Sequence, residues 1–333
     1  MAETKEKLIR VLQLIQETDE KSPMNAQQIK DALSRRFNIE NVDRRSIYRD
    51  IALLETCGYK ITQCKSKRKG WFLKERPFDE WEIKLMIDAI MQAKCITKTD
   101  ADNIKRKLLA LSSVRGRKRF GSMIWIRNTN KSVDKFAKNY IELMMEAMFQ
   151  KRKIEFQYIE ITDNMQDKLR KEGKFYKLNL YTMWWSGDTI YLIGAHDNHE
   201  GLSNYRLDRM RNLRISTEVA IDAEEKIGKN SEQKIQDYIA DSVNHYAGKV
   251  ITLILEYEPT AVNNGILYDF AGQKIRVQKV SERCNRATIR KMNSVTLIGW
   301  LLQYADRFKV IAPENVRNNI IEKLNEALTK YSE

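Results

Sequence analysis

Leu8, Val11, Leu12 and Ile15 recur at helical spacing over residues 7–16, a stripe that must face a partner. Asn25 stands at an N-cap with Gln28 in the capping-box position, and Met24 and Ile29 are spaced as a hydrophobic staple, so a second helix is expected over 26–36. The device repeats at Asp43 with Val42 and Ile47. It predicts a third helix with the apolar row Ile47, Ile51 and Leu54, closed by Cys57 and Gly58. A strand over 59–64, a Lys65-Ser66-Lys67-Arg68-Lys69-Gly70 tip and a Trp71-Phe72-Leu73 return strand then read as a basic β-hairpin. After Pro77, Asp79 with Glu82 and Phe78 with Ile83 open a helix reaching 94, and 104–111 gives another. A helix over 136–150 is expected to bury Tyr140, Leu143, Met144, Ala147 and Met148, with the methionines as core filler.

From Lys153 the period changes to that of strands. Short strands are expected over 154–161, 175–185, 190–195, 204–209 and 213–219, enough for a small barrel or curled sheet. On the fourth, Tyr205, Leu207 and Arg209 would share one face and Arg206 and Asp208 the other. Arginines among aromatics on a short strand suit an anion site; the alternative is that Arg206 pairs with Asp208 and holds the sheet together. Beyond a charged connector over 221–248, strands over 250–257, 274–280 and 287–291 precede a helix over 295–304. A strand over 308–311 and a helix over 314–331 behind Pro313 complete the chain.

At 333 residues the chain has room for two or three domains, and no apolar run approaches the roughly 18 to 20 residues of a membrane span. The charged, amphipathic start has no export-signal core, so a cytoplasmic location is expected. Cys57, Cys64, Cys95 and Cys284 form no CxxC pair and read as reduced thiols, while His196 and His199 sit in a loop HxxH; no metal and no cofactor are expected. No phosphate-binding glycine loop, HExxH, GxSxG or paired-acid arrangement is present, so the chain is not expected to be an enzyme. The net charge of +14 demands a polyanionic partner, with nucleic acid ahead of a membrane surface. Between Arg36 and Arg76, eleven Lys and Arg face five Asp and Glu, which concentrates six of the surplus charges there. A second block, Lys105, Arg106, Lys107, Arg115, Arg117, Lys118 and Arg119, could follow the same polymer, bind an acidic effector or form a solvated connector.

The run Arg44-Arg45-Ser46-Ile47-Tyr48-Arg49-Asp50-Ile51, followed by Leu53, Leu54 and Gly58, resembles the recognition helix of winged helix-turn-helix regulators of bacteria. The resemblance implies that Arg44, Arg45, Ser46, Tyr48 and Arg49 meet the groove and phosphates of double-stranded DNA and that Lys67, Arg68 and Lys69 meet phosphates. An Arg49–Asp50 ion pair bracing the helix is the alternative for Arg49. Lys151 to Tyr158, Ile190-Tyr191-Leu192-Ile193-Gly194 and Tyr205-Arg206-Leu207-Asp208-Arg209 are similar to the WYL domain, with Ile190 in the place of its tryptophan. That domain implies an Sm-like five-stranded β-fold sensing an anionic ligand, including nucleotides and single-stranded nucleic acid. The effector site would use Tyr191, His196, Tyr205, Arg206 and Arg209, with His196 as an exposed loop residue in the alternative. The run from Trp300 to Pro313 looks like the C-terminal extension that often follows such domains.

The expected fold is therefore α+β and multidomain. A winged helix-turn-helix occupies 1–76, a helical linker 77–150, the WYL domain 151–220, a connector 221–248, and a small α/β extension with dimerisation 249–333. The expected function is ligand-responsive, sequence-specific duplex binding by a homodimer; the alternative is an accessory RNA- or single-strand-binding protein of a defence system.

Overall fold

Asn25 and Asp43 do start helices, and these caps order the first stretch of the chain. The computed structural model describes residues 2–64, 70–121, 136–187, 189–272 and 275–332. Its residues group into two units, one formed by Met1–Lys138 with Gly187–Thr189, the other by Asn139–Ser186 with Ile190–Glu333.

In the first unit, α1 (Ala2–Gln16), α2 (Ala26–Phe37) and α3 (Arg44–Thr56) precede an antiparallel hairpin of β1 (Ile61–Gln63) and β2 (Trp71–Leu73). The Asn25 side chain accepts from the Gln28 amide while the Gln28 side chain accepts from the Asn25 amide, the reciprocal capping box. Val11, Leu14, Ile15, Ile29, Leu33, Ile47, Ile51 and Leu54 meet in one core with Trp71 and Leu73. Helices α4 (Glu80–Gln92), α5 (Lys98–Ala110) and α6 (Val114–Gly121) follow. Helix α5 starts earlier than its apolar pattern suggests because Thr97 caps it, accepting from the Asp100 amide. The second basic block, for which a solvated connector was one reading, is helical at both ends: Arg119 pairs with Glu80, and the Val114 amide donates to the Glu17 carbonyl.

The second unit opens on α7 (Phe136–Phe149), where Met144 and Ala147 are fully buried and Tyr140, Leu143 and Met148 half-buried. A curled antiparallel sheet follows: β3 (Arg152–Ile161), β4 (Asp167–Leu169), β5 (Tyr176–Ser186), β6 (Thr189–Ala195), β7 (Ser203–Arg206) and β8 (Met210–Val219). Its order is β4-β3-β5-β6-β7, with β8 also paired to β3, so the sheet has six strands where five were expected. The addition is β4, a short exposed piece of polar sequence that pairs with the end of β3. The fourth expected strand also differs, since a 3-10 turn over Leu207–Arg209 ends β7 at Arg206. Leu207 plugs into the interior there, which bends the chain into β8 and breaks the expected alternation.

Within the expected connector, α8 (Ala223–Ile227) and α9 (Ser231–Asp241) form. Strand β9 (Lys249–Tyr257), helix α10 (Ala261–Ala271), strands β10 (Arg276–Ser281) and β11 (Cys284–Asn293), helix α11 (Val295–Gln303), strand β12 (Phe308–Ala312) and helix α12 (Glu314–Ser332) complete the unit. Helix α10 went unread because its apolar residues fall on several sides and only Asn263 and Leu267 are buried. The last sheet runs β10-β11-β9-β12, and its core gathers Leu253, Leu255, Leu267, Leu297, Leu301 and Phe308.

Asn179 joins three stretches of the second unit. Fully buried, it donates to the Ala195 carbonyl at 2.9 Å and to Asp197 at 2.8 Å, and accepts from the Ile221 amide at 2.8 Å. Opposite it, Gly194 is obligatory, for a Cβ would lie 2.1 Å from the Asn179 carbonyl oxygen. Asp197 in turn receives the buried Lys153 ammonium, which also reaches Glu218 at 2.9 Å. Asn179→Ala leaves the Ala195 carbonyl and the Ile221 amide without these partners; we expect a loss of about 3 kcal/mol, read by denaturant unfolding followed by circular dichroism.

Candidate functional site

Two groups of side chains carry the candidate chemistry, one in each unit. On α3, Ile47, Ile51 and Leu54 form the inward row, and Asp50 lies with them, buried and 3.0 Å from the Lys7 ammonium of α1. Asp50 therefore pairs across helices, and the Arg49–Asp50 pair does not form: a carboxylate on the inward row cannot meet a side chain on the outward one. The outward face carries Arg44, Arg45, Tyr48 and Arg49, all exposed. Arg44 donates to the Gln27 side chain, while Arg45 and Arg49 have no side-chain partner among the described residues. Ser46 turns inward instead, its hydroxyl donating to the Asp43 carbonyl at 2.7 Å in the cap. The Tyr48 ring stands edge-on to Trp71 of β2, centroids 4.9 Å apart, so the hairpin steadies it. Lys67, Arg68 and Lys69 lie outside the described residues.

The five expected effector residues divide between two sides of the β6–β7 pair. Register places Tyr191 opposite Arg206, and Leu192 opposite Tyr205. On the second side, Tyr205 is only 9% exposed and lies edge-on to Phe156 and Tyr158. Its hydroxyl lies 2.7 Å from His196 Nε2, and His196 Nδ1 lies 2.6 Å from the Lys177 carbonyl. A carbonyl only accepts, so Nδ1 holds the proton and Nε2 accepts from Tyr205. Burial favours this neutral ring, lowering the His196 pKa, and burial likewise raises that of Tyr205, which keeps its proton. These two residues thus satisfy each other in the interior.

The first side is more open at Arg206, while Tyr191 is as buried as Tyr205. Arg206 grips Asp208 through two bonds, 3.0 and 2.8 Å, with about a third of each side chain exposed. The structural pairing weighed for Arg206 is present, and it leaves one edge of the guanidinium for another anion. Arg209 sits half-buried in the 3-10 turn, its charge acting on the Tyr158 hydroxyl. The Tyr191 ring lies 3.9 Å from that of His245, and Trp184 of β5 lies 4.5 Å from His245 on another side. Ile190, in the family's tryptophan place, alternates away from Tyr191 toward the interior, so Trp184 is the indole on the Tyr191 side.

His245 is the residue that sequence reasoning missed; its one signal was being the third histidine, in a polar loop of the connector. Its Nε2 lies 2.7 Å from the Ser186 hydroxyl, Asn204 donates to its carbonyl at 2.7 Å, and both it and Asn244 hold a left-handed backbone. Burial, then the Arg206 charge, lowers its pKa.

With both imidazoles held below the ordinary histidine value of 6.5, the unfolded chain takes up their protons first as pH falls. Their contribution to stability is complete above that value and is lost as pH drops through the lowered ones. We expect the melting temperature to fall from about pH 7 to about pH 5 and the His245→Gln chain to show a flatter profile, measured by thermal unfolding.

Among curated proteins, none matches the chain. Two solved structures resemble it loosely. Proteasome accessory factor B/C of Arthrobacter aurescens aligns at 14% identity and a TM-score of 0.30, covering 98% of this chain, which spans only 49% of that longer protein. A CRISPR Cas-related protein aligns at 11% identity and a TM-score of 0.42, covering 98% of this chain and 84% of that one. The family model of the WYL domain matches residues 139–215, which take in most of α7 and the sheet around Tyr191, His196, Tyr205, Arg206 and Arg209, and this part of the chain is thus similar to a WYL domain.

Proposed function

We propose that the protein is a ligand-responsive regulator that binds duplex DNA through a winged helix-turn-helix in residues 1–76 and senses an anionic effector through its WYL domain. The observation that carries the reading is the division of α3: Ile47, Asp50, Ile51 and Leu54 are committed inward, and Arg44, Arg45, Tyr48 and Arg49 stand together outward. Positive charge in the first turn opposes the helix's own dipole, which an external phosphate reverses. Guanine edges and backbone phosphates suit these arginines, and the hairpin takes the place of the wing. On the effector side, Arg206 supplies the anion contact, while the half-exposed Trp184 and His245 supply ring faces for a base beside the buried Tyr191. The same rings support a second reading, an accessory protein binding single strands or RNA for defence, with promoter control secondary.

A homodimer would place two copies of α3 on an inverted repeat. Its support is α12, where every described residue from 321 onward is exposed. Ile321, Leu324, Leu328 and Tyr331 follow at steps of three and four, a seam for a like helix, with Leu328 67% and Tyr331 92% exposed. Three such turns would be marginal alone in water.

Arg45→Ala is expected to weaken binding to the chain's own upstream duplex at least about tenfold and to lower its salt dependence, by fluorescence anisotropy. Sequence-independent binding that prefers single strands would favour the defence reading instead. Arg206→Ala removes an ion pair worth about 0–1 kcal/mol, so the fold is retained while a single-stranded oligonucleotide loses its effect on duplex affinity. Leu324→Lys with Leu328→Lys is expected to yield monomers in sedimentation, and an unchanged dimer rejects α12 as the seam.

A further inference from the structure

Between β5 and α9 lies a cavity of about 570 Å³, a volume typical of sites for drug-sized molecules. Met148 of α7, Leu180 and Tyr181 of β5, Ile221, and Ile235 and Ile239 of α9 supply its walls. Ile235 and Ile239 are four apart and so share one face of α9. That helix buries only Asp241, and its isoleucines remain half-exposed along the cavity. An eleven-residue amphipathic helix takes most of its stability from covering its apolar face, and here the face covers a hollow.

Three further observations specify what would fit. The Tyr181 hydroxyl is shut off from solvent yet has no hydrogen-bond partner among the described residues. Desolvation without a partner is costly, and a ligand acceptor that reaches the hydroxyl through a small shift of the cavity wall would relieve it. Burial, together with the charges of Asp222, Asp197 and Glu225, pushes its pKa up to about 12, so the group is a donor. At the rim, Lys151 and Arg152 are balanced by Asp222 and Glu232, and the Arg152 guanidinium is engaged by the Thr217 carbonyl at 2.7 Å. Nothing there selects a net charge.

We propose that this cavity is a second ligand site, separate from the Tyr191–Arg206 face, for a neutral small molecule with an apolar body and one carbonyl-type acceptor facing Tyr181. Such a ligand touches α7, β5 and α9 at once, and so fastens α9 to the sheet and packs on the last turn of α7. A second cavity flanks the other side of α9, lined by Tyr238 with Lys226, Lys234, Asp237, Asp241 and Arg290. That cavity also has apolar walls, Leu202, Ile227, Val250 and Met292, and the Tyr238 hydroxyl is likewise buried without a partner among the described residues, so Tyr238→Phe distinguishes binding there from binding beside Tyr181.

The test uses the full chain and prodan, a neutral naphthalene carrying a propionyl ketone, whose emission shifts to the blue in apolar surroundings. Saturable binding of one prodan per chain with blue-shifted emission is expected. Tyr181→Phe, which keeps the ring, should weaken it about fivefold. Ile239→Trp should fill the hollow and weaken it at least tenfold, about 1.4 kcal/mol, with circular dichroism unchanged. Tyr238→Phe should leave it unaltered. The proposal is overturned by absence of saturable binding to the wild-type chain, by equal affinity in the wild-type and Tyr181→Phe chains, or by weakening in Tyr238→Phe alone. Duplex affinity measured on the same variants separates this site from the DNA-binding reading, since none of the three substitutions touches α3.

Discussion

A single buried amide ties together the curled sheet of the second unit. Asn179 binds the end of β6, the Asp197 carboxylate and the chain beyond β8, using both of its polar atoms with no solvent to replace them. A buried polar group of this kind costs stability unless every partner is in place, so it fixes one arrangement of the strands. Gly194 permits the close approach that the arrangement needs, and the Lys153 ammonium spreads the fixation to β3 through Asp197 and Glu218. The next residues along β5, Leu180 and Tyr181, then wall the cavity beneath α9. Order at Asn179 and openness at α9 lie one residue apart.

The Tyr191–Arg206 face gains definition from the same sheet. Strand alternation sends Tyr191 and Arg206 one way and Tyr205 the other, so residues close in sequence serve different ends. Tyr205 and His196 complete an interior hydrogen bond, whereas Arg206, Tyr191 and Trp184 surround His245, a residue some forty positions further along the chain. The connector is therefore part of the WYL-domain face, which gives its left-handed Asn244 and His245 a role in shaping it.

Much of this was legible in the sequence where local rules decide the outcome. Asn25, Asp43 and Asp79 begin helices because caps are local chemistry, and the apolar rows of α1, α3 and α7 face inward as their periods require. Helix α10 was not legible because its apolar residues fall on several sides, and α9 because its short stripe of Ile235 and Ile239 hides in a charged connector. The turn at Leu207 hid behind an alternating pattern that suits a strand equally well. Asp50 was harder still: its partner, Lys7, is two helices away, and no spacing rule along α3 reveals it. His245 reaches Tyr191 only through tertiary folding.

That Asp50–Lys7 contact separates the seating of α3 from the chemistry of its outward face. The orientation of α3 is set from within, by one ion pair and three aliphatic side chains, and owes nothing to Arg45 or Arg49. Exchange of those two outward residues leaves the scaffold unaltered, so the chemistry of the outward face can change while the seating of the helix persists. Tyr48 is the exception, tethered as it is to Trp71, and its substitution would loosen the hairpin along with that face.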